Sequence, residues 1–194
     1  MVAGYHLIWT AYGYWLPNEP RGSTSTEIRI AALKPLGGVH FGRKKKQPTA
    51  REIAAFHERA RDILRHPVST FAPDDFAIIG NAIGEEIRAR GYVCYACAVM
   101  PDHVHLLIRR GHERAEKMIE AFQENTRTAL IEAGIRSPMH PVWTKGPGWK
   151  GFLNTQQDFV RTIEYIRLNP LEIGLPEQFW DFVTPYDGWL PVPV

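Results

Sequence analysis

Two histidines, His103 and His105, stand two residues apart just after a Pro-Asp pair in the middle of the chain. The runs 92–100 and 103–110 are rich in Val, Ile, Leu, Tyr and Cys, which predicts two strands joined by a tight turn. Because side chains alternate along a strand, both imidazoles should point to the same face. Two imidazoles are half of a metal site, which needs a further ligand and leaves positions open for substrate. A polar strand face that carries two histidines by chance is the alternative.

Three polar residues recur every fourth position in the last predicted helix: Arg161, Tyr165 and Asn169. Residues four apart share one ridge of a helix, so a guanidinium, a phenol and an amide should follow one another turn by turn. The apolar stripe of the same helix lies roughly 130° away and comprises Phe159, Ile163 and Ile166. Tyr165 is therefore predicted to lie outside the core. A solvated polar ridge is the alternative, with Arg161 in a surface salt bridge rather than on a phosphate.

The remaining periodicity predicts strands and helices in a mixed order, without an internal repeat. The predicted strands are 5–16, the two hairpin strands, and 141–153 with an interruption at Gly146-Pro147-Gly148. The predicted helices are 49–65, 73–90, 111–133, and a last one from 154 or 155 to about 168. We expect Asn169-Pro170 to end the last helix, because proline restricts the residue before it.

The chain length and the distribution of loops favour one domain. With 194 residues, of which 44% are hydrophobic, the chain can bury a sizeable core. We predict a single domain over 1–194, with a helical insertion near 34–66. Residues 171–194, rich in proline and aromatic side chains, are predicted to form an extended arm packed on that domain.

The amino-acid composition indicates the partners and the compartment of the protein more than its activity. The net charge of +2 is weakly basic, which permits a nucleic-acid partner without arguing for one. No apolar run approaches the roughly 20 residues of a membrane span, so no membrane partner is expected. The two cysteines, Cys94 and Cys97, lie three apart in a predicted strand, so they should face opposite sides and stay unbridged. Free cysteines and no recognisable signal peptide favour a cytoplasmic location.

Basic residues outside the helix are candidate DNA contacts. Lys145 and Lys150 alternate with two tryptophans, Trp143 and Trp149, and basic residues interleaved with aromatics suit single-stranded nucleic acid. Ordinary core packing of each tryptophan is the alternative. Two further loops carry candidate phosphate contacts: Arg21 in the first, and Arg43, Lys44 and Lys45 in the second. Solvated surface charge is the alternative for both loops.

These motifs together resemble a known family. Pro-Asp-His-Val-His-Leu-Leu-Ile at 101–108, followed by Tyr-Ile-Arg-Leu-Asn-Pro at 165–170, is similar to the single-tyrosine HUH transposases, and most to their REP-associated tyrosine transposase branch. The loop 14–22 also resembles one found in a subset of those proteins. The resemblance extends over about 5–175. It implies an α+β fold, a ferredoxin-like or palm-like antiparallel sheet with packed helices.

The resemblance also implies a chemistry. His103 and His105 match the pair that binds a divalent metal, Asn169 matches the third ligand, and Tyr165 matches the nucleophile. The metal implied is Mg²⁺ or Mn²⁺, the latter being more tolerant of imidazole. The reaction implied is cleavage and rejoining of hairpin-bearing single-stranded DNA through a 5′-phosphotyrosine, which conserves the energy of the phosphodiester bond. The helix that carries the nucleophile belongs either to the same chain as the histidines or, in a homodimer, to the partner chain.

Three other functions compete with this one. A His-x-His hydrolase of the amidohydrolase type needs a long barrel, for which 194 residues are too few. A nicking protein of plasmid replication or conjugation would share the chemistry, but a short chain with one candidate tyrosine favours the transposase branch. A non-catalytic or domesticated protein that binds single-stranded DNA or hairpins on the same fold is the main alternative. His6 and His112 have no evident partner in the sequence and are predicted to be structural.

Overall fold

The computed structural model describes residues 1–191 except 24, 29, 43, 44 and 147. Its contacts divide the chain into two compact units. One unit is built from Met1–Thr10 and the chain from Thr70 onward, and the other is Ala11–Ser69. The insertion predicted near 34–66 falls within the second unit. Among the described residues, no helix is long and apolar enough to cross a membrane.

The first unit contains one four-stranded sheet. Its strands are β1 (Gly4–Thr10), β2 (Cys94–Val99), β3 (His103–Arg109) and β4 (Trp149–Leu153). They lie in the order β2-β3-β1-β4, and each neighbouring pair is antiparallel. The predicted fold class is thereby confirmed: an α+β, ferredoxin-like antiparallel sheet with helices packed against it.

Strand register separates the sheet into two faces. In the pairing of β1 with β3, Thr10 lies opposite His103 and Ile8 lies opposite His105. His6 is two residues from Ile8, so all three histidines belong to one face, called here the histidine face. The other face carries the fully buried Trp9, whose ring stacks on Phe122 with the centroids 5.8 Å apart.

Two helices cover the face opposite the histidines. They are α2 (Pro73–Arg90) and α3 (Ala115–Glu132), and they pack against each other as well as against the sheet. Gly91 ends α2 in the left-handed conformation, as the sequence predicts. The predicted start of α3 at 111 is four residues early, and Arg114 is its extended N-cap residue. The apolar sides of both helices fill the core of this unit.

Helix α4 (Gln156–Glu172) packs on the histidine face. Thr155 begins it with a capping box, in which its hydroxyl accepts from the Asp158 backbone N–H and the Asp158 carboxylate accepts from the Thr155 N–H. The Phe159 ring lies so close to Gly4 that a Cβ there would overlap it. The predicted end at about 168 is wrong, because the helix continues through Pro170. A proline this near the end forfeits one backbone hydrogen bond and breaks nothing beyond it.

Two predicted strands are shorter in the structure. The first ends at Thr10 rather than 16, and the following segment includes Trp15 with a φ of 52°, a value incompatible with a strand. The fourth begins at Trp149 rather than 141, after Val142 with a φ of 63°. The β-branched and aromatic residues that suggested strands there serve core packing instead, as the buried Trp143 shows. Pro147 of the predicted interruption lies outside the described residues.

The two cysteines illustrate the effect of one irregularity. A β-bulge lies between Cys94 and Ala96, so Cys94 pairs with Ile108 and Cys97 pairs with Leu106. Ile108 and Leu106 are two residues apart and share a face. The prediction that the cysteines face opposite sides is therefore wrong, because the extra residue in the bulge brings Cys94 and Cys97 to the same face of the sheet. Both thiols are free and buried, and burial raises the pKa of each.

After α4 the chain runs across the unit without helix or strand and covers the edge of β2. The Gln178 side chain accepts from the Val99 N–H at 2.8 Å and donates to the Val99 carbonyl at 2.7 Å. Farther along, the Thr184 N–H donates to the Cys94 carbonyl. The Trp180 ring packs against α2 at Gly80. This segment, 174–191, is called the C-terminal arm below.

Adding one methyl group to α2 tests the packing of the arm. A Cβ at Gly80 would overlap the Trp180 ring, so Gly80→Ala should lower the unfolding free energy by about 1–2 kcal/mol despite the better helix propensity of alanine. Urea denaturation measures the change. The matched control is Gly111→Ala, where a Cβ meets no atom within 4 Å. A Gly80→Ala protein more stable than the parent would contradict this packing.

The second unit has a small core of its own. It contains a 3₁₀ helix (Ala31–Leu36) and α1 (Ala50–Arg61), which begins with a capping box formed by Thr49 and Glu52. Leu33 and Phe56 are buried between these elements. The predicted continuation of α1 to 65 is four residues too long.

Candidate active site on the histidine face

A line of polar side chains begins at the hairpin turn. The Nδ1–H of His103 donates to the Asp102 carboxylate at 2.6 Å, which turns Nε2 of His103 toward His105, two residues along the strand. There the Nε2 atoms of His103 and His105 lie 2.8 Å apart. The two imidazoles thus converge through equivalent nitrogens, as their spacing of two residues on one strand predicts.

His105 has a second histidine partner. Its Nδ1 lies 3.0 Å from Nε2 of His6, on the adjacent strand β1, and both rings are buried. Burial lowers the pKa of His6 from 6.5 to about 4. Burial, followed by the neighbouring rings of His103 and His6, lowers the pKa of His105 to about 2. His6 and His105 are therefore neutral at pH 7, which is the form in which imidazole binds metals.

The histidine pair fits a cation. Nδ1 of His103 contacts Asp102, and Nδ1 of His105 contacts His6. In both histidines, Nε2 is therefore the nitrogen available to a metal. Two nitrogens each about 2.1 Å from one ion and at right angles would be about 3 Å apart, close to the 2.8 Å observed. Within the described part of the chain, no three His, Cys, Asp or Glu side chains group as a metal site. An ion held by the pair keeps positions open for amide, water or phosphate oxygens.

Tyr165 reaches this cluster from α4. Its ring centroid lies 5.4 Å from that of His105 and 6.0 Å from that of His6, edge to face with both. The side chain is nevertheless 49% exposed, so the phenol is open to a substrate from outside.

Asn169 lies one turn farther along α4 and is buried. Phe159 packs at Gly4, and Tyr165 packs beside His6 and His105, so α4 advances along β1 in the direction of Thr10. Thr10 pairs with His103. The turn of α4 that carries Asn169 therefore continues toward the His103 end of the face.

The residues predicted to contact DNA do not all lie on the histidine face. Arg161 lies on α4, 68% exposed, and donates to Asp158 at 3.0 Å. Lys145 is exposed in the loop before β4. Lys150 pairs with Leu7, which places it on the face opposite the histidines, where it forms an ion pair with Glu116 at 2.9 Å. The structure therefore does not bring Lys150 to the histidine pair.

The other basic candidates belong to the second unit. Arg21 forms an ion pair with the buried Glu19 at 2.9 Å and lies 4.7 Å from the centre of the Trp15 ring. Lys45 is exposed. Arg43 and Lys44 lie outside the described residues. The ion pair of Arg21 gives this side chain a local structural role.

The sequence prediction for His6 was incomplete. The sequence shows no partner for His6 and predicts a structural role, whereas the structure places its ring against His105, Tyr165 and Trp149. Its contact with His105 joins strands 99 residues apart in sequence. The available signal was the alternation of β1, which gives His6 a defined face once the register with β3 is known. His112 is exposed.

Acid should weaken the fold through His6. Its pKa is about 4 when folded and about 6.5 when unfolded, so below pH 6.5 the unfolded chain binds more protons. The stabilisation is complete at neutral pH and declines as the pH falls from about 6.5 to 4, by about 3 kcal/mol. Urea denaturation in EDTA across this range should show a shallower decline for His6→Gln than for the parent. Equal declines in the two proteins would contradict it.

The fold and the side chains on its histidine face define an α+β domain of ferredoxin-like topology with a buried histidine cluster beside an accessible tyrosine. No protein-family model and no curated protein sequence matches the chain. Among solved structures, it is similar to a REP-associated tyrosine transposase bound to a REP hairpin, with 11% identity over 99% of this chain and 93% of that one and a TM-score of 0.48. It is also similar to a candidate transposase from Deinococcus radiodurans R1, with 13% identity over 86% and 89% and a TM-score of 0.39.

Proposed function

We propose that this protein is a metal-dependent transposase-type strand transferase, which cleaves and rejoins single-stranded DNA through a 5′-phosphotyrosine. One observation carries the proposal: the exposed ring of Tyr165 lies against His105, whose Nε2 is 2.8 Å from that of His103. Few functions require a phenol beside two imidazoles that converge on one point. The motif resemblance at 101–108 and 165–170 supports the same function.

We assign His103, His105 and Asn169 as the ligands of Mg²⁺ or Mn²⁺. Bound there, the ion would neutralise charge on the scissile phosphate. His6 and Asp102 act behind the ligands, because each fixes which nitrogen of its histidine partner faces outward. The two imidazole nitrogens and one amide oxygen leave room for phosphate and water oxygens, which suits either cation.

Tyr165 is assigned as the nucleophile. Its Oη forms a bond to phosphorus, the bond from phosphorus to the 3′ oxygen breaks, the phenol proton is released, and the 3′ oxygen takes up a proton. A free phenol has a pKa near 10 and is a poor nucleophile at neutral pH. The phosphate therefore has to be made easier to attack, which a cation does by offsetting its negative charge. Rejoining reverses these bond changes and needs no external energy source.

The substrate is assigned as single-stranded DNA, with a hairpin alongside it as the motif resemblance implies. Arg161, on the same helix as Tyr165, and Lys145, in the loop before β4, are the phosphate contacts proposed here. Contacts by Lys150, Arg21, Arg43, Lys44 and Lys45 remain predictions, as do a cytoplasmic location and a homodimer. The alternative function, a protein that binds such DNA without cutting it, differs from the proposal in one observable, the covalent adduct.

The direct test is adduct formation. Labelled single-stranded oligonucleotides carrying a hairpin are incubated with the protein and Mn²⁺, and denaturing gels are searched for a labelled protein band. The proposal expects a band with single strands, a much weaker one with the fully paired duplex, and none in EDTA. Binding without any adduct would favour the non-catalytic alternative. Equal cleavage of the duplex would exclude a single-strand substrate.

The salt dependence of binding tests the phosphate contacts. Each contact to single-stranded DNA contributes about −0.7 to the slope of log affinity against log salt, so Arg161→Gln should make the slope shallower by about 0.7. Fluorescence anisotropy measures both slopes. Arg167→Gln is the matched control, since Arg167 is also on α4, is 49% exposed and forms one ion pair, with Glu177. Equal changes in the two variants would contradict a specific role for Arg161.

A further inference from the structure

A cavity of about 220 Å³ opens on the histidine face between β4 and the first turns of α4. Its lining includes Trp149 and Gly151 from the strand, Arg161 and Thr162 from the helix, and His6. This volume is below the range of pockets for drug-sized ligands, so it suits one flat ring rather than a longer segment.

Trp149 forms an aromatic wall of the cavity. It is 44% exposed, whereas Trp143, six residues earlier, is buried and donates its indole N–H to Thr126. The Trp149 ring leans along the strand over Gly151, where a Cβ would come within 2.8 Å of it, and stands edge-on to His6 with the centroids 5.4 Å apart. The glycine thus leaves space for the indole, which stays accessible to a ligand.

The helix side of the cavity supplies positive charge and a hydroxyl. Arg161 is 68% exposed, and its ion pair with Asp158 holds it beside the opening. Thr162 follows it in the lining. An accessible indole together with a guanidinium is the combination that binds a nucleotide, since the base stacks and the phosphate pairs with charge.

The cavity adjoins the candidate nucleophile through a single ring. His6 lies 5.4 Å from Trp149 and 6.0 Å from Tyr165, measured between ring centroids. A DNA strand with one phosphate at Tyr165 would therefore bring a neighbouring base within reach of Trp149.

We propose that this cavity binds the base of an unpaired nucleotide next to the scissile phosphate, with Trp149 as the stacking platform and Arg161 as the phosphate contact. The proposal rests on the function proposed above. It adds a pocket that recognises one base of the DNA strand next to the cleavage point. Trp149 and Gly151 would then set which bases fit.

Nuclear magnetic resonance locates the pocket without requiring cleavage. The Tyr165→Phe protein, labelled with ¹⁵N and kept in EDTA, is titrated with each of the four deoxyribonucleoside 5′-monophosphates up to tens of millimolar. We expect saturable shifts of the Trp149 indole signal and of the Gly151 and Thr162 amides. No saturable shift with any of the four, or shifts confined to other regions, would overturn the proposal.

Substitutions measure how much the indole contributes. In the same background, Trp149→Ala should weaken mononucleotide binding about tenfold, and Trp149→Phe less, because a smaller ring still stacks. The matched control is Phe179→Ala, an aromatic side chain that is 83% exposed in the C-terminal arm, for which no change is expected. Equal affinity of Trp149→Ala and its parent would also overturn the proposal.

The two proposals fail in different ways. An adduct formed by the unmodified protein, without mononucleotide binding at the cavity, would leave the strand-transferase function intact and remove the pocket. Mononucleotide binding at Trp149 without any adduct would keep a nucleotide-binding pocket, but it would remove the catalytic function and with it the place of the pocket next to a cleavage point.

Discussion

A Tyr165→Phe protein should fold and bind single-stranded DNA yet form no covalent adduct with it. The change removes one oxygen from a ring that is half exposed and leaves its contacts with His6 and His105 in place. Because the phenolic oxygen is the proposed attacking atom, the expected loss is complete rather than partial. Denaturing gels report the adduct, and circular dichroism confirms the fold.

The control for this substitution is another tyrosine on the same unit. Tyr186 stacks on Phe159 and donates its hydroxyl to the Trp189 carbonyl, so Tyr186→Phe removes a tyrosine hydroxyl away from the histidines. It should keep the adduct. An adduct that survives in Tyr165→Phe, or that peptide mapping places on a different tyrosine, would show that the nucleophile is elsewhere.

Removing either imidazole of the pair should reduce cleavage by at least about 100-fold and raise the Mn²⁺ concentration needed for half-maximal activity. Loss of a residue that merely supports a metal ligand costs 10- to 100-fold, so loss of the ligand itself should cost no less. His103→Ala is the cleaner variant, because His105 is almost fully buried. DNA binding should persist, since it depends on charge and stacking.

His112→Ala serves as the control, because His112 is exposed and has no predicted role at the site. Its cleavage rate and Mn²⁺ requirement should match those of the parent. If His103→Ala cleaves at the parental rate, or if the parent cleaves fully in EDTA, the histidine pair is structural and the metal assignment is wrong.

Local signals in the sequence predicted much of the fold. The hairpin follows from alternation around Pro101 and Asp102, and the start of α1 follows from Thr49 and Glu52, which form a capping box. A capping residue at 154 or 155 predicts the start of α4, which Thr155 caps. The face shared by His103 and His105 needs only the two-residue period of a strand. Each of these features is decided within a few residues of chain.

Other features depend on contacts that sequence periodicity does not contain. The contact of His6 with His105 requires the register between β1 and β3, and the common side of Cys94 and Cys97 requires a bulge. The path of α4 through Pro170 is decided by packing rather than by propensity, which alone favours an earlier end. The exposure of Trp149 and the burial of Trp143 are likewise set by the surrounding structure.

The C-terminal arm has a consequence for the association of one molecule with another. β2 is at one margin of the sheet, and an uncovered margin offers backbone groups on which a foreign strand can add. The Gln178 side chain occupies the N–H and carbonyl of Val99, and Thr184 occupies the carbonyl of Cys94. A chain shortened before Gln178 should therefore be prone to strand-to-strand aggregation along β2, although every residue proposed for catalysis would still be present.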